Sequence, residues 1–215
     1  MKKTGTIALS AIALFTAQIA RAQGALYVSN LGETAGGSMA VGSDLWRAIV
    51  FHTGTNAGGY TLNSVELRTA PASGNPSDFS VSIYSRSAVD VRPPENSLGS
   101  LNGPDPRSCG AFTYTTLGIS LAPSSFYYVV VTAATPVATG AYAWGYTSSF
   151  GYTSSEDWFL TDFIFSSTDG LRWERTAGPY YQFAVNATAV PEPATLALAG
   201  LGLLCLGAMY RKYRR

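Results

Sequence analysis

The middle of the chain shows a two-residue period of apolar side chains, and this period limits the fold more than any other feature. Residues 79–84 alternate Phe, Val and Ile with Ser, Ser and Tyr, and residues 181–186 alternate Tyr, Phe and Val with Gln, Ala and Asn. Because successive side chains of a strand point to opposite faces, each pattern predicts a strand with one buried face. Residues 126–131 form a continuous apolar run, which predicts a strand covered on both faces.

Turn-forming residues separate these segments. Gly, Pro, Ser and Asn recur between them, and no long helical period is found outside the two ends of the sequence. Asp169-Gly170 predicts a hairpin, and the proline-rich segment 88–109 is expected to be a long surface loop. The sequence therefore predicts an all-β fold, an antiparallel β-sandwich or jelly roll. About ten strands are expected, at residues 25–29, 45–52, 62–69, 79–84, 111–116, 126–131, 141–147, 158–165, 171–174 and 181–186.

The first 22 residues have the three parts of a secretory signal peptide. Two lysines precede an apolar stretch at residues 7–20, and Ala20-Arg21-Ala22 forms a small-x-small cleavage site. The stretch is too short and too mixed for a good membrane span, which needs about 20 apolar residues. We expect signal peptidase to cut after Ala22 and to leave Gln23 as the new N-terminus. A buried N-terminal helix is the alternative, in which the lysines and the cleavage site would be coincidental.

The last segment, residues 190–215, also has three parts. Val190-Pro191-Glu192-Pro193 is followed by residues 194–209, which carry no charge, and by the arginine-rich end 211–215. As a helix, 194–209 would rise about 24 Å, slightly less than a hydrocarbon core of about 30 Å. The basic end favours the cytoplasmic side. The pattern predicts a C-terminal membrane helix that holds one preceding domain, residues 23–189, across the inner membrane.

This tail resembles the PEP-CTERM sorting signal of Gram-negative bacteria. The resemblance is carried by Val190-Pro191-Glu192-Pro193, then the Gly- and Leu-rich apolar helix, then the arginine-rich end. It implies recognition by an exosortase, a membrane protease, and processing near the Pro-Glu-Pro. It also implies a transient anchor in the inner membrane before the protein reaches the cell surface or the extracellular matrix. An ordinary single-span anchor with a proline-rich stalk is the alternative.

The middle of the chain resembles the choice-of-anchor domains and, among them, the R type. The similar segments are residues 63–67, 80–84, 97–101 and 121–123, the last followed by a Tyr- and Val-rich strand. These β-rich extracellular domains often precede PEP-CTERM or alternative anchors. The resemblance implies surface display, and the family has no established activity.

The predicted domain at residues 23–189 is mildly acidic. It contains seven arginines, no lysine and twelve acidic residues, a balance of about −5. A domain without basic clusters binds nucleic acids poorly, so no nucleic-acid partner is expected. Its one cysteine, Cys109, is interpreted as an unpaired thiol in a loop, with intermolecular pairing as the alternative.

No residue combination in the sequence indicates catalysis or a cofactor. His52 is the only histidine, so a zinc site or a histidine base would lack partners. Four acidic residues, Glu156, Asp157, Asp162 and Asp169, lie close together in the sequence. They are interpreted as solvated charges, as a calcium site built on the three aspartates, or as the carboxylate pair of a glycan hydrolase. No catalytic residue is assigned.

An aromatic row is the best candidate for binding. Tyr142, Trp144 and Tyr146 share one face of a predicted strand, whereas two alanines and a glycine share the other. If the rings are exposed, a neutral polysaccharide can stack on them. If they point inward, they fill the core of the sandwich.

Together these features predict an exported, non-enzymatic protein. We expect a structural or adhesive component at the surface of a Gram-negative bacterium or in its polysaccharide-rich extracellular matrix. A carbohydrate-binding module for neutral extracellular polysaccharide is the first alternative, and a glycan hydrolase is the second. The expected partners are signal peptidase and exosortase during processing, and the inner membrane before it.

Overall fold

The computed structural model describes residues 24–86, 93–176, 178–192, 210 and 213. The predicted signal peptide, with Ala20, Ala22 and Gln23, lies outside the described residues, and so does the predicted tail helix at residues 194–209. Within the described ranges, no helix is long and apolar enough to cross a membrane. The fold of the described chain is all-β, as the sequence predicts.

Fourteen strands run through the described ranges. They are β1 (Ala25–Ser29), β2 (Gly37–Val41), β3 (Trp46–His52), β4 (Tyr60–Gly74), β5 (Ser80–Ser85), β6 (Asn96–Leu101), β7 (Gly110–Leu121), β8 (Phe126–Thr132), β9 (Gly140–Thr147), β10 (Thr153–Ser154), β11 (Phe159–Ser167), β12 (Trp173–Thr176), β13 (Tyr180–Tyr181) and β14 (Phe183–Ala189).

The strands form two antiparallel sheets. The first sheet has eight strands in the order β10–β1–β14–β4–β9–β13, with β2 beside β9 and β7 beside β4. The long strand β4 pairs with β14 and β7 along its first part and with β9 along its last residues. β14 lies between β1 and β4, and Ala25 at the start of β1 lies opposite Ala187 near the end of β14. The chain therefore enters and leaves the sandwich at the same end.

The second sheet has six strands in the order β12–β11–β3–β8–β5–β6. β8 is central in this sheet, and both of its faces are covered as predicted. Tyr127, Val129 and Val131 face the main core, whereas Tyr128 and Val130 belong to a second apolar cluster on the other face. The predicted hairpin is confirmed as well, since Asp169 and Gly170 lie in the turn between β11 and β12, which pair in antiparallel fashion.

The main core lies between the two sheets and draws side chains from both. Alternate residues of β5 are buried, as its two-residue period predicts. The core includes Val81, Ile83, Val129, Phe183 and Val185, and Phe79 is partly buried against it. Several of the fully buried side chains in this core are aromatic, namely Trp144, Trp158, Tyr60, Tyr142 and Phe51.

Three strands were not predicted. β2 contains Gly and Ser, which have low β propensity, and it is held by its pairing with β9. β6 lies inside the segment that was expected to be a long loop, and that expectation is wrong for Asn96–Leu101, which pairs with β5. β10 is only two residues long and pairs with β1. Local sequence signals are weak in these three strands, and pairing with a neighbour determines their conformation.

The predicted strand at residues 181–186 is divided at Gln182 into β13 and β14. The backbone N–H of Gln182 donates to the carbonyl of Gly145, 2.8 Å away, and its own carbonyl accepts from Arg68 N and from the Trp144 indole. The side-chain amide of Gln182 donates to the carbonyl of Glu33, 2.8 Å away. The buried Gln182 thus lies outside the ladders of both strands, at the point where the chain stops pairing with β9 and begins to pair with β4.

Candidate functional site

The predicted aromatic row lies in the core, so the hypothesis of a stacking surface built on it is wrong for this structure. Tyr142 and Trp144 are completely buried. The Trp144 indole stacks on Tyr181, with ring centres 4.5 Å apart, and donates a hydrogen bond to the carbonyl of Gln182. Tyr146 is partly buried and packs beside Gly36 and Gly37. Tyr142 and Trp144 therefore lie where a polysaccharide cannot reach them.

Burial also affects the acidity of the Tyr142 phenol. It raises the pKa of Tyr142 to about 12, with a further contribution from the neighbouring carboxylate of Asp105. The Tyr142 hydroxyl donates to the carbonyl of Pro76, 3.3 Å away. Tyr142 therefore remains a neutral hydrogen-bond donor at neutral pH, which suits a residue of the core.

The three predicted calcium ligands do not come together. Asp157 lies in the turn before β11 and Asp169 in the turn after it, so a strand of nine residues, about 30 Å long, separates them. Asp162 lies between them on β11 and is exposed. Within the described part of the chain, no three His, Cys, Asp or Glu residues are grouped so that they could hold a metal ion. The calcium prediction is therefore wrong for the described residues.

Asp169 instead stabilises the hairpin turn. One of its carboxylate oxygens accepts hydrogen bonds from the backbone N–H groups of Leu171 and Arg172, each at 2.8 Å, and from the Ser167 hydroxyl at 3.0 Å. The bonds from Arg172 and Leu171 hold the pKa of the Asp169 carboxyl below its usual value. This is the behaviour of a carboxylate that closes a turn.

An irregularity in β11 explains why Asp162 points outward. The strict alternation of the sequence places Asp162 on the side of Leu160 and Ile164, which is inconsistent with its charge. In the structure Leu160 lies opposite Phe51 and Ile164 opposite Ile49, so residues 161–163 face a single residue of β3. The two extra residues form a bulge, within which Asp162 is exposed while Leu160 and Ile164 on either side both stay in the core.

This bulge borders an open groove of about 480 Å³ that is rich in aromatic side chains. Phe159 at its rim stacks on His52, with ring centres 4.4 Å apart. The guanidinium of Arg175 lies 3.4 Å from the centre of the Phe163 ring. Asp162 is the single acidic residue of the lining, which consists of Phe126, Phe150, Phe159, Leu160, Thr161, Asp162, Phe163 and Tyr180. We call this site the aromatic groove.

His52 belongs to the edge of the aromatic groove and is not placed as a general base. Besides Phe159, it contacts the edge of Phe126, with ring centres 4.6 Å apart. Burial lowers the pKa of its imidazole, so the ring is neutral at pH 7. A carboxylate pair that hydrolyses glycosides needs two facing acidic groups, and Asp162 alone supplies one in this groove.

A second groove, of about 380 Å³, lies where β6 meets β7 and has no acidic residue in its lining. Leu117 of this lining is fully exposed. Cys109, just before β7, is exposed and forms no disulfide within the described part of the chain.

The residues that follow β14 form the last candidate site, the point where the chain leaves the domain. The ladder between β14 and β4 continues one residue beyond the strand, because Val190 N donates to the carbonyl of Gly59, 3.0 Å away. The side-chain amide of Asn56 donates to the carbonyl of Val190, 2.9 Å away. Pro191 and Glu192 are exposed directly afterwards. This contact was not predicted from the sequence, although Asn56-Ala57-Gly58-Gly59 is a typical turn signal.

The aromatic groove was missed for a related reason. Its side chains come from four segments of the chain, and sequence alternation says nothing about which segments meet. A local signal did exist at residues 159–163, where Asp162 interrupts an apolar pattern. Such an interruption indicates a bulge or a strand end, and bulges are common beside functional sites.

Comparison with known proteins identifies the tail. Residues 189–215 match the PEP-CTERM protein-sorting motif, as expected from Val190-Pro191-Glu192-Pro193 and the segment that follows. The motif implies exosortase-dependent export and membrane-associated sorting to the surface of a Gram-negative cell. No curated protein and no solved structure matches the chain. The resemblance of the middle to choice-of-anchor domains therefore stays a prediction.

Proposed function

We propose that this chain is a structural or adhesive protein that a Gram-negative cell displays on its surface or releases into its extracellular matrix. The position of the sorting motif is the observation that carries the proposal. The motif begins at the last residue of β14, a strand buried between β1 and β4, so the whole sandwich precedes the motif as one body. Processing of the tail would deliver this body intact.

The order of events follows from the two ends of the chain. Signal peptidase cuts after Ala22 and exposes Gln23, and the apolar segment at residues 194–209, predicted to be a helix, then holds the domain at the inner membrane. Exosortase acts near Pro191-Glu192-Pro193 and frees the domain from this helix. The domain itself is the cargo, and its mild acidity keeps it away from nucleic acids and acidic polymers.

Cell fractionation with mass spectrometry of the protein ends tests the proposal. The parent chain should begin at Gln23 and lack residues 194–209 when it is recovered from the surface or the medium. Reordering Pro191-Glu192-Pro193 should leave the tail attached and the protein in the inner membrane, whereas reordering residues 148–150, in a surface loop, should not. Normal surface delivery of the reordered tail would show that the tail is a simple anchor.

A second function, binding of neutral polysaccharide, is favoured by the aromatic groove. The groove offers the partly exposed side chains of Phe126, Phe159 and Phe163, together with polar groups at Tyr180 and Asp162. Ring faces bordered by hydroxyl and carboxylate groups suit the apolar faces and hydroxyl groups of sugars. A single acidic residue in the lining is compatible with a neutral polymer. The surface differs from the row that the sequence suggested, but the proposed ligand is the same.

Binding to immobilised dextran and cellulose tests this second function. Phe163→Ala should weaken retention about tenfold, because loss of one stacking ring removes roughly 1–2 kcal/mol. Leu117→Ala, which changes an equally apolar side chain in the other groove, should bind like the parent. If the parent binds neither polymer, or if the Phe163 variant is folded and binds equally well, the groove does not bind glycans of this class.

A further inference from the structure

Val190, the first residue after β14, is held on both of its sides. Val190 donates its N–H to the Gly59 carbonyl at 3.0 Å, and its carbonyl accepts from the Asn56 side-chain amide at 2.9 Å. The same amide also donates to the Gly59 carbonyl at 2.5 Å, and the Gly59 N–H returns a bond of 2.8 Å to the Asn56 carbonyl. We call Val190 the stem of the sorting motif. Residues 56–59 are called the stem turn, because they form hydrogen bonds with one another and with Val190.

The stem turn is shaped for this contact. A Cβ atom at Gly58 would collide with the carbonyl oxygen of Val190, and Gly59 adopts a φ of +71°. A side chain at either position would therefore displace the stem or strain the turn. The backbone N–H of Asn56 donates to the buried Tyr60 hydroxyl at 3.2 Å, which fixes the turn to the core.

Proline ends the ladder one residue later. Pro191 has no N–H to donate, so the ladder cannot continue past Val190 on its donor side. Among the described residues, Val190 is thus the last whose backbone is hydrogen-bonded to the domain, and the chain without such bonds begins at Pro191, the first residue of the Pro-Glu-Pro. Proteases commonly bind their substrates as extended strands through backbone hydrogen bonds. A residue whose N–H and C=O are both used by the domain is not available for such binding.

We propose that Asn56 is a positioning residue for tail processing: it keeps Val190 part of the folded domain, so that the chain open to a protease begins at Pro191. This proposal rests on the proposed function for its biological meaning, because exosortase is the protease concerned. The contact itself does not depend on exosortase. The expected consequence is a sharply defined cleavage boundary, with no cut on the domain side of Val190 while the sandwich is folded.

A pair of isosteric substitutions tests the proposal. Asn56→Asp removes the amide that donates to Val190 and places a negative carboxylate against two carbonyl groups. Asn63→Asp is the matched control, since it makes the same change next to the same strand. Asn63 accepts a hydrogen bond from the Thr188 hydroxyl at 2.9 Å through an oxygen that aspartate retains.

The first measurement uses the purified full chain in detergent with elastase, which cuts after small aliphatic residues. Loss of one hydrogen bond should open the stem about fivefold more often, and cleavage after Ala189 should accelerate by the same factor. The Asn63→Asp chain should be cut at the rate of the parent, and all three should melt at similar temperatures. Equal cleavage of the Asn56→Asp chain and the parent would overturn the proposal, and so would equal acceleration in both variants.

The second measurement is mass spectrometry of the C-terminus of protein released by cells. The parent should end at or beyond Val190, and the Asn56→Asp protein should include a fraction that ends within β14. A parent terminus within β14 would refute the positioning role but leave the display function standing. If the tail remains attached in the parent, the display function fails, and the elastase comparison still decides whether Asn56 holds the stem.

Discussion

Val129 provides the most direct test of the fold. It lies at the middle of β8, opposite Ile49 of β3 and Ile83 of β5, and has no exposed surface. Val129→Ala removes two methyl-sized groups, which costs about 1.6 kcal/mol at 0.8 kcal/mol each. The remaining cavity adds about 1 kcal/mol. Stability should therefore fall by roughly 2–3 kcal/mol.

Urea unfolding, followed by circular dichroism, measures this change. With an m value of roughly 2 kcal/mol per molar, the midpoint should fall by about 1–1.5 M for Val129→Ala. Val129→Asp buries a carboxyl group with no partner and should cost more than about 4 kcal/mol, enough to unfold many domains of this size. The penalty should grow as the pH rises above about 4, because the core disfavours the ionised form.

The control for these variants is Leu117→Asp, which places the same charge on a fully exposed side chain. It should change stability by no more than about 0.5 kcal/mol. A Val129→Asp domain that melts cooperatively within about 1 kcal/mol of the parent at neutral pH would contradict the placement of β8 in the core.

Three further predictions concern other parts of the domain. Trp144→Ala should lower the stability to urea by roughly 3–5 kcal/mol, because the indole is in the core; a near-neutral change would put it at the surface. Burial raises the pKa of Tyr27 and of Tyr142 to about 12. Their stabilising effect is complete below about pH 10 and is lost as the pH rises toward 12, so alkaline unfolding should coincide with late phenolate absorbance. The pKa of Asp169 is lowered, so its contribution is present above about pH 4 and is lost on acidification; Asp169→Ala should lower the melting temperature at pH 7 more than at pH 2.

The sequence predicts strands well where a buried face leaves a period. β1, β5, β8 and β9 were predicted close to their observed limits, because each contains alternating or continuous apolar residues. β2 and β6 carry Gly and Ser and leave no such pattern, so only their partners reveal them. A two-residue period also does not show which face of a strand points into the core. In β9, both faces are largely covered in the structure. This is why the aromatic row could be described from the sequence while its exposure could not.

The candidate sites also differ in how well the sequence predicts them, depending on whether their residues are continuous in the chain. The sorting motif is continuous in the sequence and was predicted from its order of parts, which the family comparison confirms. The aromatic groove and the stem turn bring together distant segments. Asn56 and Val190, for example, are separated by 134 positions. No local propensity reports such a contact, because it depends on how β4 and β14 are aligned.

The placement of β14 has a mechanical consequence for a protein that is held by its C-terminal end. Hydrogen bonds of an antiparallel ladder lie perpendicular to the strands. A force that pulls Val190 along the axis of β14 therefore loads the bonds to β1 and β4 in shear, all at once, and cannot peel them apart one after another. Single-molecule pulling from Val190 against an attachment on β5 should thus require a markedly higher force than pulling that opens the edge strand β12, which has one neighbour. In the proposed anchored state, the strand that bears the load is also the strand best placed to resist it.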